Sequence, residues 1–135
     1  MEPMVQSTFG GVKVVVMGED PLVRRGLRSV LEETSSVAIV EEADCPSSAM
    51  EAISRHGPEV LLMTLSQGSD SSLGFISQLR KVFSRLRVIL TGMSIDKRVL
   101  LAAVEHGAFG YVPSHASAAE FEAAFNQVLN GQCQV

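Results

Sequence analysis

The chain has 135 residues, a formal net charge of −4 and 46% hydrophobic residues. That length and composition suit one folded domain with a sizeable core and argue against a disordered chain. No apolar run approaches the roughly 18 residues that a membrane span needs, and no run of basic residues predicts a surface that tracks nucleic-acid phosphates. The two cysteines, Cys45 and Cys133, lack metal-type spacing, so we expect a reduced cytoplasmic chain.

Short apolar runs alternate with segments whose apolar residues recur at helical spacing. In chain order, strands are predicted over residues 13–17, 37–40, 60–63, 86–90 and 109–112. A helix is predicted after each strand, beginning at Pro21, at Pro46, after the Ser/Gly-rich segment 66–72, after Asp96 and after Ser117. Glycines predict where three of the helices end, at Gly57, Gly107 and Gly131.

The helical spacing also predicts which side chains face the core. On the first helix the apolar set is Leu22, Val23, Gly26, Leu27, Val30 and Leu31, and the solvated face carries Arg24, Arg25 and Arg28. On later helices the apolar sets include Val82, Val104, Phe121, Phe125, Val128 and Leu129. Cys45 is interpreted as a small loop residue, and His56 and His106 as favourable charges at helix C-termini.

Five strands that alternate with five helices predict a doubly wound parallel sheet, an α/β fold with both faces covered. The run 60–63 is expected to be buried on both faces, with Thr64 at its carboxyl end. Sites in such sheets form at the carboxyl ends of the strands, so we expect any site to surround Thr64. One domain is predicted over residues 12–131, after a flexible leader (1–11) and before a linker or tail (132–135).

Four segments together, in this order and at these intervals, resemble the receiver domain of bacterial two-component response regulators, the CheY-like family. They are residues 14–27, 58–63, 88–91 and 107–112. The first segment, Val-Val-Val-Met-Gly-Glu-Asp-Pro-Leu-Val-Arg-Arg-Gly-Leu, is most similar to the subfamily with a LuxR/NarL-type helix-turn-helix. The resemblance implies the strand order 2-1-3-4-5, a cytoplasmic signalling domain rather than an enzyme, and a histidine kinase as a possible partner.

The resemblance also implies a phosphorylation site. A working receiver accepts a phosphoryl group on an aspartate after the third strand, holds Mg²⁺ with two acidic residues after the first, and pairs the phosphate with a lysine after the fifth. These positions fall on Thr64, on Gly18 and Glu19, and on Ser114. Because a neutral hydroxyl without an adjacent base is a weak nucleophile, we expect no catalytic residue and no cofactor. Weak Mg²⁺ binding at Glu19, with Asp20 beside it, stays open.

Two further features of the family have counterparts here. Thr91 and Tyr111 match its switch relay: either they form a two-state element driven by another input, or Thr91 merely ends a strand and Tyr111 packs on the fourth helix. In the subfamily the first and last helices often pair across a two-fold axis. Candidate residues for that dimer face are Arg25, Arg28, Glu122 and Asn126.

The leading hypothesis is a receiver-like domain that lacks the acceptor aspartate and signals by protein contact as a homodimer. It would control transcription through a C-terminal LuxR-type DNA-binding domain outside this chain, without touching DNA or membrane itself. Two alternatives remain: phosphorylation at an unusual residue, Asp70, or a pocket that binds a small molecule and is read out through Thr91 and Tyr111. The partner kinase, the ligand and the target genes are not predicted.

Overall fold

A computed structural model describes residues 11–33, 37–64, 70–92, 96–113 and 117–130. The strands are β1 (Val12–Met17), β2 (Val37–Ala43), β3 (Val60–Thr64), β4 (Arg87–Gly92) and β5 (Gly110–Pro113). The helices are α1 (Pro21–Glu32), α2 (Pro46–His56), α3 (Asp70–Val82), α4 (Lys97–His106) and α5 (Ala118–Leu129). The sheet order is β2-β1-β3-β4-β5, which confirms the predicted fold class and strand order. No helix among the described residues is long and apolar enough to span a membrane.

The chain divides into two compact units, and the division falls within β3. The first unit, residues 1–61, contains β1, α1, β2, α2 and the start of β3. β1 and β2 are parallel, and their register shifts between Val14, which pairs with Ile39, and Val15, which pairs with Glu41. The core of this unit consists of buried apolar residues from its strands and helices: Val14, Val15, Val16, Leu27, Leu31, Ala49, Ala52, Ile53, Val60 and Leu61.

The predicted end of β2 at residue 40 is wrong, since the strand continues through Glu41 and Glu42 to Ala43. The apolar pattern did not predict the last three residues of β2, because two of them are acidic. Both acidic side chains form ion pairs with arginines on the neighbouring helices. Glu41 binds Arg55 of α2 at 2.6 Å, and Glu42 binds Arg24 of α1 at 2.9 Å. Acidic side chains can therefore continue a strand that an apolar pattern would end.

The predicted core face of α1 needs correction at its N-terminal turn. Leu27 and Leu31 are buried, but Leu22 is 82% exposed and Val23 is 44% exposed. Arg24, predicted to lie on the solvated face, has a side chain that is only 16% exposed. Its guanidinium is drawn inward because it pairs with Glu42. The buried side of α1 is therefore confined to its later turns.

The second unit, residues 62–135, contains the end of β3, α3, β4, α4, β5 and α5. β4 and β5 are parallel, with Thr91 paired with Val112 and Leu90 with Tyr111. The apolar core of this unit includes Leu62, Met63, Phe75, Ile76, Leu79, Val88, Ile89, Leu90, Phe121, Phe125 and Val128. Parallel rings of Phe121 and Phe125, 6.3 Å apart between centroids, contribute to it.

Three residues assigned to this core by helical spacing are placed differently. Val82 and Val104 are exposed, because each lies outside the narrow buried stripe of its helix. On α5, Val128 is buried and Leu129 is half-buried. Val128 takes the core position because β5 approaches it at Gly110, where an added Cβ would lie 2.6 Å from Val128 Cγ1.

The predicted helix caps are confirmed. Side chains of Asp20, Asp96 and Ser117 accept hydrogen bonds from backbone N–H groups in the first turns of α1, α4 and α5. Gly57 and Gly107 end α2 and α4 with φ of 58° and 116°, a backbone region that favours glycine. The expected stop at Gly131 lies outside the described residues.

Candidate functional site

The segment after β1 offers few free ligand atoms. Asp20 is exposed, and its Oδ1 accepts a hydrogen bond from the Leu22 N–H at 2.9 Å, so it acts as the N-cap of α1. Gly18 is buried; its N–H donates to the Ala43 carbonyl oxygen at 3.0 Å, and its own carbonyl oxygen accepts from Arg24 Nη1 at 2.5 Å. Glu19 is exposed. The segment therefore provides one carboxylate without a capping role.

An ion-pair network connects α1 with β2 beside this segment. Glu42 accepts from Arg24 Nε at 2.9 Å and from Arg28 Nη1 at 2.7 Å, while Arg28 Nε donates to Glu32 at 3.0 Å. Hydrogen bonds from Arg28 and then Arg24 hold the pKa of the Glu42 carboxyl below its ordinary value, against the effect of desolvation. Arg28, a candidate for the dimer face, thus already has two acidic partners in its own chain.

The ends of β3 and β4 carry hydroxyl side chains. Thr64 is the last residue of β3 and is half-buried, which confirms its predicted place at the strand end. Thr91, the penultimate residue of β4, is fully buried, and its Oγ1 has no hydrogen-bond partner within the described part of the chain. Leaving a buried hydroxyl unpaired costs about 1–3 kcal/mol. No described residue offsets this cost for the Thr91 hydroxyl.

Tyr111 ties β5 to the end of β4. Its hydroxyl donates a hydrogen bond to the Gly92 carbonyl oxygen at 2.9 Å. The ring is half-buried, and this burial raises the pKa of the Tyr111 phenol. Neither sequence interpretation of Tyr111 included this bond. This hydrogen bond places the Tyr111 hydroxyl beside Gly92, the residue that follows Thr91, so both residues predicted for the switch relay lie at the end of β4.

One predicted site residue, Ser114, lies outside the described residues, as does the segment 65–69 that follows Thr64. Asp70 is the first residue of α3, and nothing further is described of it. Of the candidate dimer-face residues, Arg25 on α1 is exposed, while Glu122 and Asn126 on α5 are half-buried.

Cys45 lies in the bend between β2 and α2, as interpreted from the sequence, and it is also the N-cap of α2. Its Sγ lies 3.3 Å from Ser47 Oγ and 3.4 Å from Ser48 Oγ, and these hydrogen bonds lower the pKa of the thiol. Pro46 at the first helical position was the sequence signal that could have identified this cap. His56 lies at the C-terminal end of α2, as predicted, and its Nε2 also contacts Glu41 Oε1 of β2 at 2.9 Å.

Comparisons with known proteins identify the family. Residues 14–126 match the model of the response regulator receiver domain. The chain is 27% identical over 120 residues to the transcriptional regulatory protein MctR of Rhizobium johnstonii, covering 89% of this chain and 56% of MctR. It is 24% identical over 121 residues to the response regulator UvrY of Escherichia coli K12, covering 90% and 56%. The chain thus spans just over half the length of these curated relatives.

Solved structures agree with this assignment. A LuxR-family response regulator from Aurantimonas sp. SI85-9A1 superposes with a TM-score of 0.81 at 24% identity, covering 91% of this chain and 88% of that one. The signal receiver domain of a NarL response regulator from Mycobacterium tuberculosis superposes with a TM-score of 0.76 at 27% identity, covering 88% and 97%. With the sheet order and the match over residues 14–126, these comparisons show that the chain belongs to the response regulator receiver domain family.

Proposed function

We propose that the chain is the receiver domain of a LuxR/NarL-type response regulator that signals by protein contact, without aspartyl phosphorylation. One observation carries the proposal: β3 ends in Thr64, at the position where the family resemblance places the phosphoryl-accepting aspartate. An uncharged hydroxyl needs an adjacent base to act as a nucleophile at neutral pH. A carboxylate at the same place needs none, since it is already ionised.

The residues after β1 do not fit the Mg²⁺ ion that the resemblance implies. Mg²⁺ demands a near-octahedral set of oxygen ligands. Gly18 has no side chain, and one oxygen of Asp20 is already used by the α1 cap. Among the described residues, no group of three or more His, Cys, Asp or Glu is placed to hold a metal ion. We therefore assign no step of signalling to a bound metal.

Signalling by contact requires a partner, and we propose a second copy of the chain. The pairing of first and last helices in the subfamily suggests α1 and α5 as the dimer face. Arg25 suits such a contact because it is exposed. Arg28 suits it less well, because it is paired with Glu42 and Glu32. The candidates on α5 remain Glu122 and Asn126, with a histidine kinase as a possible further partner.

The proposed output is transcription. The curated relatives are about twice as long as the part that matches this chain, and MctR is described as a transcriptional regulatory protein. A structurally similar response regulator, RcsB, has a solved structure as a complex with DNA. We propose that this receiver controls a C-terminal LuxR-type DNA-binding domain in the cytoplasm, and that it does not itself contact DNA.

Beryllofluoride, a phosphoryl mimic, tests the proposal. A ligand that binds the folded state raises its apparent stability. We expect that Mg²⁺ with beryllofluoride leaves the melting temperature and the sedimentation coefficient of the chain unchanged. A shift in either quantity would contradict the proposal. If that shift disappeared in Asp70→Asn, the proposal would have to be replaced by phosphorylation at Asp70.

A further inference from the structure

Four exposed cations lie where α3 ends and β4 begins, all of them in the second unit. We call them the basic patch, and its members are Arg80, Lys81, Arg85 and Arg87. Residues 71–95 contain no aspartate or glutamate, although the chain as a whole has a net charge of −4. None of the four cations forms an ion pair with a carboxylate in the described part of the chain.

Hydrogen bonds fix both ends of the basic patch. At one end Arg80 Nη1 donates to the Ser84 carbonyl oxygen at 3.1 Å, across the bend that leads from α3 to β4. At the other end Arg87 Nη1 donates to the Leu129 carbonyl oxygen at 3.1 Å, and Arg87 Cζ lies 5.2 Å from the centre of the Phe109 ring. A guanidinium has several N–H donors, so each arginine keeps donors for a further partner. The patch is therefore compact and held in place before anything binds.

The dipole of α3 accounts for only part of this charge. Arg80 and Lys81 lie in the last turn of α3, where cations are favoured. Arg85 lies beyond that turn, and its side chain has no hydrogen-bond or ion-pair partner among the described residues. Like charges in so short a segment repel one another, which lowers the stability of the folded chain. A bound anionic group would relieve that repulsion.

We propose that the basic patch binds an acidic peptide segment of a partner protein, one that combines carboxylates with an apolar side chain. Val82, in the middle of the patch, is 56% exposed, and burying it against an apolar group would add affinity. Nucleic-acid phosphates would leave Val82 without an apolar partner. Because DNA carries its charges along the whole helix axis, it also suits a longer track of cations than one bend of the chain offers. These observations favour a peptide over a nucleic acid.

The basic patch is separate from the proposed dimer face. The patch lies on α3 and β4 and in the bend between them, whereas the dimer face is assigned to α1 and α5. Binding of an acidic peptide requires no phosphoryl group and no change at Thr64. The inference therefore goes beyond the proposed function, and a response to beryllofluoride would overturn that function without affecting the patch.

Amide chemical shifts, measured by nuclear magnetic resonance, test the proposal. The probe is the peptide Glu-Glu-Leu-Leu-Glu-Glu, blocked at both ends, and Gln-Gln-Leu-Leu-Gln-Gln is its uncharged counterpart of nearly equal shape. We expect the acidic peptide to shift the amides of residues 80–87 in a saturable way. The uncharged peptide should bind about 5-fold more weakly or worse. No shift with the acidic peptide, equal affinity of the two peptides, or shifts confined to other segments would each overturn the proposal.

Two double variants with the same loss of charge show whether the patch is the site. Lys81→Gln with Arg85→Gln removes two patch cations whose side chains bond no described residue, and should weaken binding of the acidic peptide about 5-fold or more. The control, Lys13→Gln with Lys97→Gln, removes two exposed cations outside the patch and should leave the affinity within about 2-fold. Equal weakening in both variants would contradict the proposal, because it would mean that only net charge matters.

Val82→Ser distinguishes a peptide from a nucleic acid. We expect this change to weaken binding of the acidic peptide about 3-fold or more, because the exposed side chain loses its apolar contact. A short DNA duplex should bind more weakly than the peptide at the same ionic strength. Tighter binding of the duplex, or an unchanged peptide affinity in Val82→Ser, would indicate that the patch selects charge alone and would overturn the proposal.

Discussion

Replacing Gly26 with alanine is expected to stabilise the chain. Gly26 lies in the interior of α1 and is exposed, and a Cβ added there would have no atom within 4 Å. Alanine is favoured over glycine in a helix interior by about 1 kcal/mol, partly because glycine gives the unfolded chain more freedom. No steric clash of the added methyl group opposes this gain in stability. For a domain of this length, 1 kcal/mol corresponds to roughly 3 °C in the melting temperature.

Urea unfolding followed by circular dichroism measures this prediction. Gly74→Ala is the matched control, because Gly74 is also exposed within a helix, α3, and has equally open surroundings. Both variants should gain about the same free energy of unfolding. A lower urea midpoint for Gly26→Ala would refute the reasoning. If α1 forms the dimer face, only Gly26→Ala should also weaken self-association in sedimentation experiments.

Three further predictions follow from the packing and charges of the two units. Gly110→Ala should destabilise the chain by about 1–3 kcal/mol in urea unfolding, because its Cβ would lie 2.6 Å from Val128 Cγ1; an unchanged midpoint would contradict this close contact. Phe125→Ala should cost about 3–5 kcal/mol by the same assay, since the ring is fully buried, and a loss under about 1 kcal/mol would contradict that burial. The contribution of Glu42 should be complete above the unfolded pKa of about 4.3 and be lost as the pH falls through the lower folded value. Stability measured against pH should therefore fall less steeply in Glu42→Gln, and identical profiles would refute the assignment.

Local chemistry was enough to predict most of the fold. Helix caps act within one turn of the chain, so their roles can be inferred from the neighbouring residues. Examples are the N-caps Asp20 and Ser117 and the C-cap Gly57. The extension of β2 through Glu42 could not be inferred in this way. It depends on Arg24 and Arg28, which lie well apart from it in the sequence.

The candidate site was predictable in position but not in its hydrogen bonding. The apolar run before Thr64 located the end of β3, since a buried strand must end where polar residues begin. That no described residue bonds the Thr91 hydroxyl, and that Tyr111 donates to Gly92, depends on which groups the folded strands bring together. Sequence spacing contains no information about such partners.

Covalent modification is the property that separates the proposed function from that of a phosphorylated receiver. The most direct measurement is the intact mass of the chain after incubation with Mg²⁺ and acetyl phosphate, beside a receiver known to accept phosphoryl groups. The account predicts that the mass of this chain is unchanged while that of the control increases. A mass increase of one phosphoryl group on this chain, absent in Thr64→Ala or Asp70→Ala, would contradict it.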